Sequence, residues 1–397
     1  MHLKDKLHGS SQETLADNDA PDSQNGQDQH TTAEQHQQQN QQDQQERHSG
    51  SHEEHQSRSD ETSPIKVASA TLLGDVKSDL PVGRDLGFVG KIQDTLIFTY
   101  GDTISQEGDF FMTSDSSSIG TDDPLYVLNT QRTFDGDHPT DMIAPQAYWD
   151  ENSSEDAFGG TNVLPTGHGG GMMFFLKNHR PGGVSTIIGA GVAHVNLDGP
   201  NQNVSTERLA EYWWDTRAGE PNYGDVGAYT DGNYIYGYGH GCTDRMHVFL
   251  NRAPLLGWTD LANWEYWDGS TNSWTKDRFY NPSDQQALQW NAQDGATWAV
   301  AQGQMVWNAY YQKILWVYTT AFADSANGAY AIMARTADKP EGPWSEETKL
   351  YRVQNREEGQ FVYCAVANPY YDESGKSVVV TVNVGSMTVQ AHRVVFE

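Results

Sequence analysis

Short apolar or alternating runs, each bounded by Gly, Asn, Asp or Pro, dominate the chain from about Ile65 onward. They are rich in β-branched and aromatic residues, as in "DTLIFTY", "KILWVYTT" and "SVVVTVNV". Runs of this length and composition are typical of β-strands. Long helical periodicity is absent, so the pattern predicts an all-β fold.

The strand pattern repeats loosely along the chain. Five units can be aligned, at 83–132, 160–205, 223–270, 300–350 and 360–397, and each contains a hairpin with a polar tip followed by a further strand. Repeats of about 45 residues with this content predict a five-bladed β-propeller. The stretch "KVASATLLGDVK", which precedes the first unit, is expected to complete the last blade. A two-sheet sandwich is the competing architecture.

The first part of the chain has a different composition. Residues 1–66 are mostly Gln, His, Asp, Glu and Ser, with almost nothing that could be buried. Such a segment cannot offset the entropy lost on folding. The sequence therefore predicts a disordered tail over 1–66 and a propeller domain over 67–397.

Charge restricts the partners of the protein. The 397 residues carry a formal net charge of −29, which argues against a nucleic-acid backbone or an anionic membrane as partner. The first residues lack the apolar core of a signal peptide, so an intracellular protein is the default expectation unless the start is misassigned or export is unconventional. Two cysteines are too few for a disulfide framework. We expect a monomer.

Two acids mark the open end of the first hairpin, "GRDLGFVGKIQDTLIFTYGDT". With the turn at Gln93-Asp94, counting outward places Asp85 opposite Asp102. Opposed residues have Cβ atoms about 4.5–5.5 Å apart. Retaining glycosidases hold their two carboxyl groups about 5–5.5 Å apart, so this hairpin predicts a catalytic pair. A slip of one residue would place the two acids on opposite faces.

Two other uses of this pair compete with catalysis. The acids could bond to backbone amides at a strand end, since "GDT" is a common setting for an Asx turn. They could also bind a structural cation such as calcium through carboxylate oxygens. No other cofactor is predicted. If both acids serve catalysis, their mutual repulsion should separate their pKa values.

Further residues near the hairpin ends are candidates for binding a sugar. Tryptophan rings stack on sugar faces, and the ends of inner strands approach the centre of a propeller. The predicted substrate-binding residues are Arg84, His168, Trp213, Trp214, Asp225 and His240.

Several motifs together resemble the domain-of-unknown-function family 4185, which includes the endo-D-arabinanases of glycoside hydrolase family 183. They are "GRDLG…GDT", "YGYGHG…VFLNRAP…WEYWDG", "MVWNAYYQKILWVYTT", "ADKPEGPWSEETKLY" and "YYDESGKSVVVTVN". The resemblance covers about residues 75–397. It implies a five-bladed propeller and retaining hydrolysis of arabinofuranosyl linkages. Leu86, at a position where the family's pattern has glycine, and "AQGQMVWN" in the fourth unit depart from that pattern.

The sequence therefore predicts a retaining glycoside hydrolase that acts on a poly- or oligosaccharide containing furanosides. The sequence leaves the roles of the two acids unassigned, with Asp85 favoured as the nucleophile by analogy with other five-bladed glycosidases. The competing hypothesis is a non-catalytic propeller that binds carbohydrate or protein. A lyase would require a Tyr, His or Lys base beside the pocket.

Overall fold

The computed structural model describes residues 64–132, 136, 138–167, 169–199, 203–242, 247–289, 300–320, 331–353, 362–385 and 387–397. Residues 1–63, most of the expected tail, lie outside these ranges. The folded part includes the end of the 1–66 segment, because Ile65 is buried in the core and the Lys66 carbonyl accepts a hydrogen bond from the Glu397 backbone.

The described residues form 25 β-strands. The strands of the first two predicted units and the segment before them are β1 Val67–Asp75, β2 Lys77–Ser78, β3 Val82–Ile92, β4 Thr95–Ser105, β5 Met112–Thr113, β6 Ser116–Gly120, β7 Tyr126–Asn129, β8 Asp156–Gly160, β9 Leu164–Gly167, β10 Gly170–His179, β11 Thr186–Asp198 and β12 Asn203–Arg208. The remaining strands are β13 Trp214–Asp215, β14 Gly227–Thr230, β15 Tyr234–His240, β16 Val248–Pro254, β17 Glu265–Asp268, β18 Ser273–Thr275, β19 Val300–Asn308, β20 Lys313–Thr320, β21 Ala331–Ala337, β22 Thr348–Arg352, β23 Val362–Asn368, β24 Ser377–Val384 and β25 Val389–Phe396.

Helix is limited, in the part of the chain that the structure describes, to short 3₁₀ turns. They are Ala147–Trp149, Pro181–Gly183, Thr216–Ala218, Leu261–Asn263, Asp284–Gln286 and Pro369–Tyr371. None of the helices in these ranges is long and apolar enough to cross a membrane. The prediction of an all-β fold is confirmed.

The strands assemble, over the described ranges, into four hydrogen-bonded sheets. Three of the sheets consist of strands that are consecutive in the sequence: β2 to β7, β8 to β13 and β14 to β18. The fourth has the order β1-β25-β24-β23-β19-β20-β21-β22. It consists of two antiparallel runs that are joined where Gly303 of β19 pairs with Ala365 of β23 in parallel. The strands of the fourth and fifth predicted units therefore lie in one eight-stranded sheet.

The strand that precedes the first unit pairs with the last strand of the chain. β1 lies antiparallel to β25 from Val67, opposite Phe396, to Asp75, opposite Gln390. The expectation that "KVASATLLGDVK" completes the last unit is therefore confirmed. The two ends of the folded domain are held in one sheet.

The first strands of the five units contact one another in a cycle. β3 contacts β9, β9 contacts β14, β14 contacts β19, β19 contacts β23, and β23 contacts β3. Every residue of β23 is buried, whereas β9 buries only Leu164. Burial on both faces explains why β23 reads as a nearly continuous apolar run rather than strict alternation.

Two side-chain amides connect different units by pairing with a peptide group. Gln304 of β19 accepts from the Val89 backbone N–H at 3.1 Å and donates to the Val89 carbonyl at 2.7 Å. Asn162 makes an equivalent pair of hydrogen bonds with the backbone of Ala228, each 3.0 Å long. Each amide gives both polar groups of a buried residue a side-chain partner, and buried backbone groups need such partners.

Candidate active site

The turn of the first hairpin lies where the sequence predicts it. Ile92 pairs with Thr95, and the pairing continues in register from Lys91 opposite Leu96 to Phe88 opposite Thr99. Gln93 adopts a left-handed φ of 51°, which a two-residue turn between twisted strands requires. The location of the turn at Gln93-Asp94 is confirmed.

The register breaks before it reaches the two acids. Leu86 pairs with Tyr100, one residue out of step, and Arg84 opposite Thr103 restores the original register. Leu86 and Gly87 have left-handed φ values of 65° and 98°, as residues in a bulge often do. Asp85 and Asp102 therefore lie in the irregular stretch and are not a registered cross-strand pair. The expected direct opposition was wrong in this respect, because counting from the turn assumes a ladder without bulges.

The two acids nevertheless remain neighbours, and each has a different partner. The Tyr363 hydroxyl donates to Asp85 Oδ2 at 3.2 Å. Arg180 Nη1 donates to Asp102 Oδ1 at 3.1 Å in an ion pair. The Asp85 carboxyl packs directly on Gly101, where an added Cβ would lie only 2.4 Å from Oδ1. The Oδ1 atom is buried and receives no hydrogen bond from the described part of the protein.

These surroundings make the two carboxyl groups electrostatically unequal. Burial, and to a smaller extent the nearby charge of Asp102, raises the pKa of Asp85 to about 7. The Tyr363 hydroxyl, the Arg180 charge and the Asp102 backbone N–H oppose this rise without cancelling it. Near neutral pH the Asp85 carboxyl thus holds a proton for a large part of the time, while the Asp102 carboxylate has a guanidinium beside it.

The predicted substrate-binding residue Arg84 has other contacts. Its guanidinium is buried, donates from Nη2 to Asn129 Oδ1, and lies 4.5 Å from the centroid of the Tyr100 ring. Thr103, its registered partner, shares a hydrogen bond of 2.8 Å with the Ser116 hydroxyl. These contacts lie inside the first sheet rather than with the two acids. A role of Arg84 in binding substrate stays a prediction.

The structure brings Asp225 and His240 together. His240 Nδ1 lies 2.9 Å from Asp225 Oδ2, and the His240 backbone N–H donates to Asp225 Oδ1 at 2.9 Å. His240 Nε2 donates to the Val300 carbonyl at 2.6 Å, since a carbonyl oxygen can only accept. Both side chains are buried, and they connect the end of β15 to the start of β19. Their predicted contact with substrate is not tested by these bonds.

The two tryptophans predicted to stack on sugar differ in exposure. Trp214 is 0% exposed, and its Nε1 donates to the Tyr266 hydroxyl at 3.0 Å. Its ring packs against Phe174 and Trp264, so Trp214 belongs to the core and offers no face to a sugar; that prediction is corrected. Trp213 is partly buried at the edge of the same cluster, and its predicted role stays a prediction. The predicted substrate residue His168 lies outside the described residues.

Two residues at this site were not predicted from the sequence. Arg180 directly follows β10, the second strand of its unit, and Asp102 lies near the end of β4, the second strand of the first unit. Tyr363 lies at the start of β23, as Asp85 lies near the start of β3. Aligning the five units strand by strand would have placed both residues at the end of the units that carries the acids. A group of three or more His, Cys, Asp or Glu side chains suited to a metal ion is not found within the described ranges.

Comparison with known proteins shows a likeness of fold. No family model and no curated protein matches the sequence. Among solved structures, a candidate hydrolase from Bacteroides ovatus ATCC 8483 is similar, with a TM-score of 0.55 and 14% identity over 79% of this chain and 85% of that one. An endo-1,5-α-L-arabinanase from Thermotoga petrophila RKU-1 gives a TM-score of 0.46 and 12% identity over 82% and 74% of the two chains. An arabinanase from Bacillus subtilis gives 0.43 and 10% over 79% and 95%.

Proposed function

We propose that this protein is a retaining glycoside hydrolase, built on a five-bladed β-propeller, that cleaves a furanoside-containing, arabinan-like glycan. The observation that carries the proposal is the pair Asp85 and Asp102, two adjacent carboxyl groups with opposite surroundings. One is buried with a raised pKa and the other is paired with Arg180. Carboxyl pairs whose environments separate their pKa values are the acid–base machinery of glycosidases.

The arrangement of the sheets supports the propeller. Each of the five units starts with a strand that contacts the first strands of two other units, and the contacts return to the starting strand. Five radial sheets around a common axis would produce this cycle. The pairing of β1 with β25 is the closure that such a ring needs.

The roles follow from the environments of the two acids and reverse the expectation from the sequence. Asp85, whose raised pKa keeps it protonated, is the acid, and Asp102 is the nucleophile. In the first step the Asp102 carboxylate attacks the anomeric carbon while Asp85 gives its proton to the departing glycosidic oxygen. In the second step a water attacks the same carbon, Asp85 takes the proton of that water, and the bond to Asp102 breaks.

The neighbours of the acids support this sequence of steps. Arg180 forms an ion pair with the Asp102 carboxylate and fixes one of its oxygens. The charge of Asp102 acts on the Asp85 carboxyl at close range, which favours a short separation such as the ~5–5.5 Å of retaining enzymes over the wider gap of inverting ones. The arabinan-like substrate rests on the motifs that resemble family 4185.

Hydrolysis of a panel of arabinans and other furanosidic glycans by wild type, Asp85→Asn and Asp102→Asn tests the proposal. We expect each substitution to lower kcat by about 10²–10⁴-fold, the usual contribution of a positioned acid or base, or more for the nucleophile. Asp94→Asn is the matched control, because Asp94 is an exposed acid at the other end of the same hairpin.

A substrate with a leaving group that needs no proton separates the two roles. An aryl furanoside of this kind should restore formation of the covalent intermediate in Asp85→Asn but not in Asp102→Asn. NMR of the first product should show the anomeric configuration of the substrate. Activity that survives both substitutions, or no hydrolysis of any glycan by a folded wild type that still binds one, would favour the non-catalytic binding propeller.

A further inference from the structure

A cavity of about 290 Å³ lies beside the start of β3, away from the contacts of the two acids. Its walls come from the segment between β1 and β3, from the hairpin β3–β4 and from the turn that leads into β25. Arg84 and Tyr100 line its interior, and Lys77, Asp75 and Thr388 contribute to the wall. The cavity thus combines two cations with a single acid.

Arg84 is a buried cation without a carboxylate partner in the described part of the chain. It is 6% exposed, and its Nη2 donates to the neutral Asn129 side chain. Its Nε is buried and has no acceptor there. A guanidinium has five N–H donors, and a buried charge that lacks a counter-charge is costly. Burial lowers the pKa of Arg84, in line with this cost.

The acid nearest to Arg84 in this network, Asp79, forms its hydrogen bonds and its ion pair with other residues. Asp79 accepts hydrogen bonds from the backbone and side-chain nitrogens of Asn129, at 2.9 and 2.7 Å, and forms an ion pair with Arg132. Its hydrogen bonds therefore connect to Arg84 only through the neutral amide of Asn129, while its charge acts on Arg84 through space. The positive charge of Arg84 remains available to a group that enters the cavity.

We propose that this cavity binds a small oxyanion, a phosphate or a carboxylate group, with Arg84 as its main ligand and Lys77 at the wall. The planar guanidinium matches the spacing of two oxygens in either group. The cavity volume is sufficient for phosphate or acetate. The bound anion would neutralise the buried charge at the base of β3. This site is separate from the proposed glycosidase chemistry.

Isothermal titration calorimetry of the full chain tests the proposal, with sodium phosphate and sodium acetate as separate probes at constant ionic strength set by sodium chloride. We expect saturable binding at one site for at least one of the two anions, and the pair of probes identifies which group the cavity takes. Arg84→Met should weaken the binding at least 10-fold. Thr388→Trp, which fills the cavity and keeps Arg84, should abolish it.

Two further variants complete the design. Lys77→Gln should weaken binding several-fold, whereas Lys276→Gln, which removes an exposed lysine outside the cavity, should leave it unchanged. If Arg84→Met does not fold, Thr388→Trp and Lys77→Gln carry the test. No saturable heat with either anion, or equal affinity in wild type and Thr388→Trp, would overturn the proposal. Since no glycan is present, the result is independent of the glycosidase assignment.

Discussion

The carboxyl of Asp85 packs on Gly101 and accepts a hydrogen bond from Tyr363, whereas the carboxylate of Asp102 pairs with Arg180. At the scale of single residues, these contacts decide which aspartate keeps its proton. Tyr363 lies 278 positions from Asp85, and Arg180 lies 78 positions from Asp102. Two residues of the same type, in the same hairpin, thereby acquire different chemistry.

Asp85 makes the stability of the protein depend on pH. Its pKa is about 7 in the folded protein against the 3.8 usual for an aspartate, so the folded state binds the proton more tightly. The resulting stabilisation is complete below about pH 4 and is lost as pH rises through about 7. Asp85→Asn, which cannot ionise, should therefore gain stability relative to wild type between these values, and the gain should level off above them.

Urea unfolding of both proteins from pH 4 to 9 measures this difference. The Asp94→Asn variant should follow the wild-type curve, because Asp94 is fully exposed. A difference between wild type and Asp85→Asn that does not change with pH would contradict the raised pKa.

At the scale of elements, the bulge around Leu86 and Gly87 interrupts the regular pairing of the first hairpin at the position of the two acids. It takes Asp85 and Asp102 out of the ladder and lets the Asp85 carboxyl fold over Gly101. A ladder without bulges would have placed the two charges directly opposite each other, which destabilises a strand pair. With the bulge, one acid is buried and the other forms an ion pair with a cation.

A substitution of Gln304 tests how the strands of different units are held together. It bonds both polar groups of the Val89 peptide and connects the first strands of the fourth and first units. Gln304→Met keeps the side-chain volume but leaves a buried N–H and a buried carbonyl unpaired. We expect the free energy of unfolding to fall by about 1–3 kcal/mol, measured by urea denaturation. Gln285→Met, at an exposed position, should change the free energy of unfolding little. An equal loss of stability in both variants would contradict a stabilising role of the two Gln304 hydrogen bonds.

At the scale of the whole molecule, β1 closes the chain onto itself by pairing with β25. A chain that begins at Lys77 lacks this strand and exposes the edge of β25. We expect its thermal midpoint to fall by about 10 °C or more, because several kcal/mol of pairing and burial are lost and 1 kcal/mol corresponds to only a few degrees in a domain of this size. An exposed edge should also promote aggregation.

A chain that begins at Pro64 is the control for this truncation. It keeps β1 and Ile65, so its midpoint in differential scanning calorimetry should match that of the full chain. A similar midpoint in the two truncated proteins would mean that β1 does not contribute to the stability of the domain.

Much of this architecture was predictable because strand periodicity is a local property. The runs "KILWVYTT" and "SVVVTVNV" became β20 and β24, the turn at Gln93-Asp94 was located correctly, and β1 completes the sheet as expected. The pattern could not reveal that Trp214 is entirely buried, since an aromatic residue reads alike in a core and at a sugar site. Arg180 and Tyr363 were missed because their partners are distant in sequence.

The sequence by itself determined the all-β class, the first hairpin and the two acids at its open end, because alternation, turn residues and residue identity are all encoded locally. Only the tertiary structure decided that a bulge removes Asp85 and Asp102 from the ladder, that Asp85 is buried against Gly101, and that Asp102 meets a guanidinium. The pKa of a carboxyl depends on burial and on charges within a few ångströms. Those neighbours come from other units of the chain, and only the folded chain brings them together.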